Sequence, residues 1–441
     1  MVYFKTFAVT AITLFGCTLA APTSSSGVDS AIPGSYIITL KSEIEELDVK
    51  SHMKWIDNVH KRSLEKRDGD NGIEKVYETE AGFRGYSGTF DPTTINQIKN
   101  SPEVANVEPD LRVELTWAPH KRETQASEQP AKPSSQSEEP SNGQEGDSDL
   151  EKRGELDQKN STWGLASISH RKKGFSNYIY NKQSGASSYA YVVDSGVRIT
   201  HQEFQGRAKN GWTAFKKDYT DRLGHGTHVA GILIGKTFGV AKRSKVISVK
   251  VFQGNSADLS VIMSGIEWAI NDIISKKRQE FSVINLSLGI DGTSTALNNM
   301  IENAAKQGVI CVVAAGNQGK PASSTSPASA PKAITVGAIN RNWNMPTWSN
   351  YGSTVDILAP GVGITSASWQ SDTGTYVEDG TSMATPHVSG LVLYVQSVYG
   401  IVGVEKTTKF LKKYATTKKV TGDRRGSPNR VANNNNIAQS K

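Results

Sequence analysis

A carboxylate, an imidazole and a hydroxyl stand in distinctive local settings far apart along this 441-residue chain. Asp194 closes an apolar run in Tyr191-Val-Val-Asp-Ser-Gly-Val197, where a strand would end on a tight turn. His225 lies in Gly224-His-Gly-Thr-His-Val-Ala-Gly231, whose small residues let other backbone approach the ring. Ser382 lies in Gly380-Thr-Ser-Met-Ala-Thr-Pro-His387, ahead of an apolar run that reads as a buried helix. Singly, each has a plain structural reading: a turn carboxylate, a helix-start histidine and an N-cap serine. His225 and His228 are three apart, but no nearby Cys, Asp or Glu has the spacing of a third zinc ligand.

Together the three change meaning. The order Asp…His…Ser, with the serine opening a helix, is one of the known orders of a nucleophilic triad. In such a triad the hydroxyl attacks a carbonyl, the imidazole moves the proton, and the carboxylate holds the imidazole. A serine at a helix N-terminus also aims its own N–H at any oxyanion formed there. Proline is tolerated in the first helical turn, so Pro386 sets the helix start at or just after Ser382.

These groups need elements to position them. Ser188 to Val193, Val246 to Val251, Val283 to Leu288, Val309 to Ala315 and Ala333 to Gly337 read as strands. Between them, Leu259, Ile262, Ile266, Ile270 and Ile273 fall on one helical face that Asp258 can cap. Leu297, Ile301 and Ala304-Ala305 mark another helix, which Gly308 can terminate. Alternation of this kind predicts an α/β domain over 154–441, a parallel sheet with helices on both faces. Active sites in such folds lie at the carboxyl ends of strands, where Asp194 and Asn317 fall.

The motifs closely resemble those of the subtilases, nearest the branch of proteinase K and the cerevisin-like enzymes, over 160–435. The resemblance implies a subtilisin-like fold and a serine endopeptidase that needs no cofactor for its chemistry. It implies that Asn317, in Ala314-Ala-Gly-Asn317, is the second oxyanion donor beside the Ser382 N–H. Ser287-Leu288-Gly289 and Gly254-Asn255-Ser256 would be the two edges between which substrate lies as an added strand. Ala314, Ala315 and Gly316 would line an apolar pocket, giving broad specificity with an apolar preference before the cut. The carbonyls of Pro331 and Ala333 and the carboxylate of Asp356 match a structural calcium site of the family. Two departures stand out. Val229 replaces a cysteine usual after the histidine motif, which implies reduced thiol sensitivity. Glu378-Asp379 replaces uncharged residues close to Ser382, and an extra carboxylate there would raise the His225 pKa and the pH optimum.

The remainder of the chain reads as a precursor. Lys5, the uncharged run Phe7 to Leu19 and Thr18-Leu-Ala20 form a signal-peptide pattern over 1–20, too short to span a bilayer. Residues 34–115 show a β-α-β-β-α-β order and predict a small ferredoxin-like domain resembling the family's inhibitory propeptide. Residues 116–153 are rich in Ser, Gln, Glu and Pro and read as a disordered linker ending at the dibasic pair Lys152-Arg153. Lys66-Arg67 and Lys121-Arg122 are similar pairs. The expected destination is the exterior, with the vacuole as the alternative sharing the same entry signal. Asn160-Ser-Thr162 is a glycosylation sequon; Asn285-Leu-Ser287 fits the pattern but falls in a predicted buried strand.

Charge and cysteine usage narrow the class further. Residues 1–153 hold 17 basic and 25 acidic side chains, net −8, whereas the rest hold 33 and 18, net +15. A basic half invites a nucleic-acid reading, but no zinc finger or aromatic-interleaved motif accompanies it. The expected partners are protein and peptide substrates and the chain's own acidic propeptide docking on its basic half, with no nucleic acid, no membrane and a monomeric state. Cys17 would leave with the signal, and Cys311 reads as a buried, inert thiol. Two alternatives remain: a catalytically dead binding protein of the same fold, and a lipase-type hydrolase. The lipase type uses Gly-x-Ser-x-Gly and the order Ser…Asp…His, and neither occurs here.

Overall fold

The computed structural model describes residues 30–64, 72–115 and 154–439. The signal pattern, Cys17, the linker and the three dibasic pairs lie outside the described residues.

The N-terminal domain runs β1 (Ala31–Leu40), α1 (Glu46–Leu64), β2 (Gly72–Glu78), β3 (Arg84–Thr89), α2 (Pro92–Lys99) and β4 (Val104–Glu114). Its strands lie antiparallel in the order β4-β1-β3-β2, the arrangement expected from the element order. Asp91 starts α2 by accepting from the backbone of Thr93 and Thr94, and Pro92 opens the helix where no N–H is needed. Ile38, Leu40, Ile56, Tyr86, Phe90, Ile95 and Ile98 form its own small core. The stretches 104–107 and 111–115, read separately from sequence, are parts of the single strand β4.

The large domain opens with β5 (Glu155–Gln158), α3 (Trp163–Ser169) and β6 (Tyr178–Asn181). There follow β7 (Tyr189–Asp194), β8 (Ala208–Thr213), α4 (His225–Ile234), β9 (Lys245–Lys250), β10 (Ser256–Asp258), α5 (Leu259–Ser275), β11 (Ser282–Leu286), α6 (Thr295–Lys306) and β12 (Cys311–Ala314). The chain ends through β13 (Ile334–Ile339), β14 (Ile357–Pro360), β15 (Ile364–Ala367), β16 (Thr375–Glu378), α7 (Thr381–Tyr399), α8 (Val404–Tyr414), β17 (Thr416–Thr417) and β18 (Arg430–Val431). Nine strands form one sheet, β17-β18-β14-β13-β12-β11-β7-β9-β8, parallel except where β17 meets β18.

Strand β7 is buried on both faces, and its period of two divides it between two cores. Ala190 and Val192 pack with α4 and α7 on one side, while Tyr191 and Val193 pack with α5 and α6 on the other. The chain reverses its direction of growth at β7, which lies between β9 and β11. A crevice therefore opens at the carboxyl ends of these strands.

Two local expectations need correction. Pro386 is the sixth residue of α7, beyond the first turn, because the helix starts at Thr381. Asp258 occupies the N-cap position of α5 but makes no side-chain cap; its carboxylate pairs with Arg112 at 2.5 Å. The cap comes instead from the N-terminal domain, where Asp110 Oδ1 accepts from the Ser260 N–H at 3.0 Å.

Candidate active site

Strand β7 delivers Asp194 to the rim of the crevice, fully buried, with Oδ1 accepting from the Ser195 N–H at 2.7 Å. His225 is the first residue of α4, and its Nδ1 faces both Asp194 oxygens at 2.8 and 2.9 Å. Gly226 makes this approach possible: a Cβ there would stand 2.1 Å from the Gly196 carbonyl oxygen and 3.1 Å from Asp194 Cβ. Gly224, at φ +90°, turns the chain into α4 and lies under the Trp369 ring, leaving no room for a side chain.

Asp221 ties the two segments together. Its carboxylate accepts from Gly224 N at 2.8 Å, Thr227 N at 3.0 Å and Ser195 Oγ at 2.9 Å. It thus caps the start of α4 while gripping the residue after Asp194. Burial pushes the His225 pKa down. The Asp194 carboxylate, with smaller help from Asp221 and Glu378, pushes it back above its ordinary value. The contributing carboxylate of the acidic pair is Glu378. Asp379 is engaged elsewhere, accepting from the Gly363 N–H at 2.5 Å.

Ser382 is the second residue of α7, which packs against α4, and is 6% exposed. Its Oγ donates to the Ser287 carbonyl at 3.1 Å, and Ser287 Oγ donates back to the Ser382 carbonyl at 2.8 Å. Asn317 follows β12; its Oδ1 accepts from Thr381 N at 2.9 Å and Thr381 Oγ1 at 2.8 Å. With Oδ1 engaged there, the amide nitrogen faces the start of α7. A methyl group on Gly380 would stand 3.6 Å from Asn317 Nδ2 and 3.5 Å from Ser382 N. Asn317 Nδ2 and Ser382 N thus border the same small space above Gly380. Asn350 shapes this loop, donating to the Ala315 carbonyl at 2.8 Å and accepting from Gln318 N and Lys320 N at 3.1 Å each.

His228, three residues beyond His225, is wholly buried and points its Nε2 at the Ile364 carbonyl, 3.0 Å away. Burial, with repulsion from His225, pushes its pKa down to about 3. Cys311 is buried in β12, and burial pushes its thiol up to about 12, which removes the reactive thiolate at neutral pH.

The N-terminal domain fills the crevice. Strand β4 pairs antiparallel with β10, matching Val113 with Ala257 and Glu114 with Ser256, and Leu115 N donates to the Asn255 carbonyl at 2.8 Å. Glu114 and Leu115 lie against a wall formed by Ser287, Leu288, Gly289, Ala314, Ala315 and Gly316, with Asn317 and Ser382 at its end. Ile37, Tyr77, Phe83, Val113 and Leu115 join the core that α5 and α6 share. Tyr77 donates to the Ser260 carbonyl at 3.0 Å, and Asn271 on α5 exchanges hydrogen bonds with the backbone of Glu78 and Glu80.

The acidic character of this domain acts differently from expectation. Glu108 sits on the start of α6, accepting from Thr295 N at 3.0 Å, Ala296 N at 3.3 Å and the Ser294 hydroxyl. Asp110 does the same at α5. These carboxylates meet helix N-termini, whose bare N–H groups and dipole attract anions. Among the described residues, the Arg112–Asp258 ion pair between the two domains runs in the opposite sense. Burial raises the pKa of both Glu108 and Asp110, opposed by these hydrogen bonds.

Of the expected calcium ligands, the Asp356 carboxylate is already engaged. Asp356 Oδ2 accepts from Thr335 N at 2.9 Å, and Oδ1 pairs with the Lys412 ammonium at 2.5 Å. A cation already meets the single carboxylate. Among the described residues no group of three or more acidic, His or Cys side chains is arranged to hold a metal ion. Asn160 is exposed on a turn, whereas Asn285 is fully buried and bonded to Ser287.

Sequence reading missed Asp221, Asn350, Lys250 and the two capping carboxylates. Asp221 had a signal, an acidic residue three before a helix-opening glycine, and Lys250 is a charge inside the run Val246 to Val251. Glu108 and Asp110 had none, since their partners lie 150 or more positions away.

The comparisons with known proteins agree with this architecture. The model of the subtilase family matches residues 185–433, and that of the peptidase inhibitor I9 family matches residues 35–116. The chain is 44% identical to alkaline protease 1 of Aspergillus clavatus over 96% of each chain. It is 43% identical to an alkaline proteinase of Hapsidospora chrysogena over 95% of this chain and 96% of that one. With the subtilisin-like proteinase Mp1 of Magnaporthiopsis poae it shares 41% identity, over 98% and 99% of the two chains. The crystal structure of a cold adapted subtilisin-like serine proteinase superposes with a TM-score of 0.58 at 38% identity, covering 62% of this chain and 98% of that one. A peptidase-family match over more than half of the chain, an inhibitor-family match ahead of it and near full-length relatives lead to one conclusion: the chain belongs to the subtilase family, as a serine endopeptidase made as a precursor with its own inhibitor domain.

Proposed function

We propose that Ser382, His225 and Asp194 form the catalytic triad and that Asn317 and the Ser382 N–H hold the oxyanion. The observation that carries this reading is His225 Nδ1 facing both Asp194 oxygens at 2.8 and 2.9 Å, on a helix packed against the one that holds Ser382 in its first turn. Ser382 Oγ attacks the peptide carbonyl. His225 takes the hydroxyl proton and returns it to the leaving amine, while Asp194 fixes the tautomer and stabilises the imidazolium. The tetrahedral oxygen gains donors that are already oriented, so little reorganisation is required as charge develops.

Substrate binds extended between the Asn255–Ser256 edge and Ser287-Leu288-Gly289. The propeptide segment Arg112–Leu115 on the first of these edges is a model for it. Walls of Ala315, Gly316 and Leu288 favour apolar side chains and discriminate weakly among them, hence broad specificity with an apolar residue before the cut. The same segment explains inhibition, since β4 occupies the cleft until it is removed. The enzyme leaves the cell through the 1–20 signal, is processed at Lys152-Arg153, and carries glycan on Asn160.

The test is labelling by a serine-directed fluorophosphonate. Labelling of the processed wild-type enzyme, abolished by Ser382→Ala and His225→Ala, is expected. Labelling that persists in Ser382→Ala would sink the assignment.

A further inference from the structure

A third charged group lies beneath the triad. Lys250 ends β9, and strand register sets it directly beside Asp194 at the end of β7. Its side chain is completely shielded from solvent. Nζ donates to the carbonyls of Ser195 and Phe252, both at 2.6 Å, and lies 5.5 Å from the centre of the Phe215 ring. A lysine is almost never fully buried unless its charge is matched. Among the described residues no carboxylate lies within ion-pair distance of Nζ, so its match is at longer range. Burial pushes its pKa below the ordinary lysine value, Asp221, Asp218 and Asp194 pull it back up, and Arg222 pushes it further down.

The charge balance of the site gives this lysine a use. Asp194 and Asp221 are both buried, at 0% and 6% exposure, beside one imidazole. Asp194 from β7, Asp221 from the loop before α4 and Glu378 from β16 all favour a proton on His225, while His228 lies on its own helix. A ring that holds its proton too firmly cannot serve as a base. An ammonium behind Asp194 offsets part of that negative field. Its hydrogen bond to the Ser195 carbonyl also pins the turn that aims the carboxylate, because Ser195 N donates to Asp194 and Ser195 Oγ to Asp221.

We propose that Lys250 is a positioning residue of the peptidase, holding the Asp194–Ser195 turn and supplying the counter-charge that keeps His225 available as a base. The proposal rests on the triad reading above. The two fail differently: without a triad the wild-type enzyme would not be labelled at Ser382, whatever residue stands at 250.

The experiment compares Lys250→Met, Lys250→Gln and Lys250→Arg in the full precursor after processing, with active sites counted by fluorophosphonate. In Lys250→Met the acid limb of kcat/KM moves up by about half a pH unit or more, as expected for loss of a nearby positive charge. The same variant loses about ten-fold in kcat with KM within about two-fold of wild type, the signature of a changed chemical step. Lys250→Arg returns the limb to its wild-type position. Lys250→Gln, which keeps a donor and is the variant of choice if methionine does not fold, shows the limb shift with a smaller loss of kcat. Titrated Met or Gln sites that keep the wild-type limb and kcat, however much their Tm falls, would overturn the proposal and leave Lys250 a structural residue.

Discussion

Ser287 and Ser382 exchange hydrogen bonds, each hydroxyl donating to the other's carbonyl at 2.8 and 3.1 Å. The exchange resolves the placement of Pro386. At the sixth position of α7 a proline cannot donate to the carbonyl four residues back, which is that of Ser382. Ser287 Oγ supplies the missing donor from β11's end. Nucleophile, helix start and substrate wall are therefore one hydrogen-bonded unit. Replacing Ser287 by Ala leaves a buried carbonyl unsatisfied and should cost about 1–3 kcal/mol. Thermal unfolding of an inhibited sample measures this, and a Tm equal to that of wild type would contradict it.

The pH profile follows from the groups around His225. Asp194, Asp221 and Glu378 together hold its pKa above the ordinary value, so the imidazole is protonated, and activity lost, as pH falls through that raised value. The acid limb of activity should therefore lie above that of an unperturbed imidazole. Removing a negative charge disfavours the imidazolium, so Glu378→Gln should extend activity to lower pH. Asp379→Asn should not, because Asp379 serves Gly363. Profiles of kcat/KM for the two variants decide the matter, and a shift confined to Asp379→Asn would reverse the assignment.

Inhibition by the propeptide should depend on its two capping carboxylates. Glu108→Ala frees the N–H groups of Thr295 and Ala296, and Asp110→Ala frees that of Ser260. Each substitution should weaken inhibition about ten-fold to a hundred-fold, the equivalent of about 1.4–3 kcal/mol for a lost charged hydrogen bond. Inhibition constants for propeptide added in trans test this. Raising salt should weaken the interaction less than surface ion pairs would suggest, since both carboxylates are largely buried.

Chelation should leave the folded enzyme unaffected at the Asp356 site. Lys412 already meets that carboxylate, so adding a chelator should move Tm by less than about 1 °C, whereas a bound ion stabilises in proportion to its saturation. Lys412→Met exposes the carboxylate, and a calcium-dependent rise in Tm confined to that variant would show that lysine and ion compete for one place. A chelator-induced fall in wild-type Tm, abolished in Asp356→Asn, would contradict this reading.

The oxyanion loop gives a further check. Asn317→Ala removes a donor while Asn350 still holds the loop, so KM should change little and kcat should fall by about 10²–10³, the magnitude established for this donor in a subtilisin. Steady-state kinetics at saturating substrate provide the measurement.

Much of this was legible in the sequence because it is local. Tyr191-Val-Val-Asp194, Gly224-His-Gly-Thr-His228 and Gly380-Thr-Ser-Met-Ala384 each need small or apolar neighbours within a few residues, and periodicity of two or 3.6 marks the elements that carry them. The β-α-β-β-α-β order of the N-terminal domain was readable for the same reason. Only the tertiary structure decided which donor meets which acceptor across the fold. It put Asp110 in place of Asp258 at the start of α5, Ser287 in place of the N–H that Pro386 lacks, Glu378 rather than Asp379 in the field of His225, and Lys412 at Asp356. The physical reason is that polar and charged groups are matched by whatever the packing brings close, within about 3 Å for the three direct contacts and at longer range for Glu378, and packing joins residues that no spacing along the chain relates.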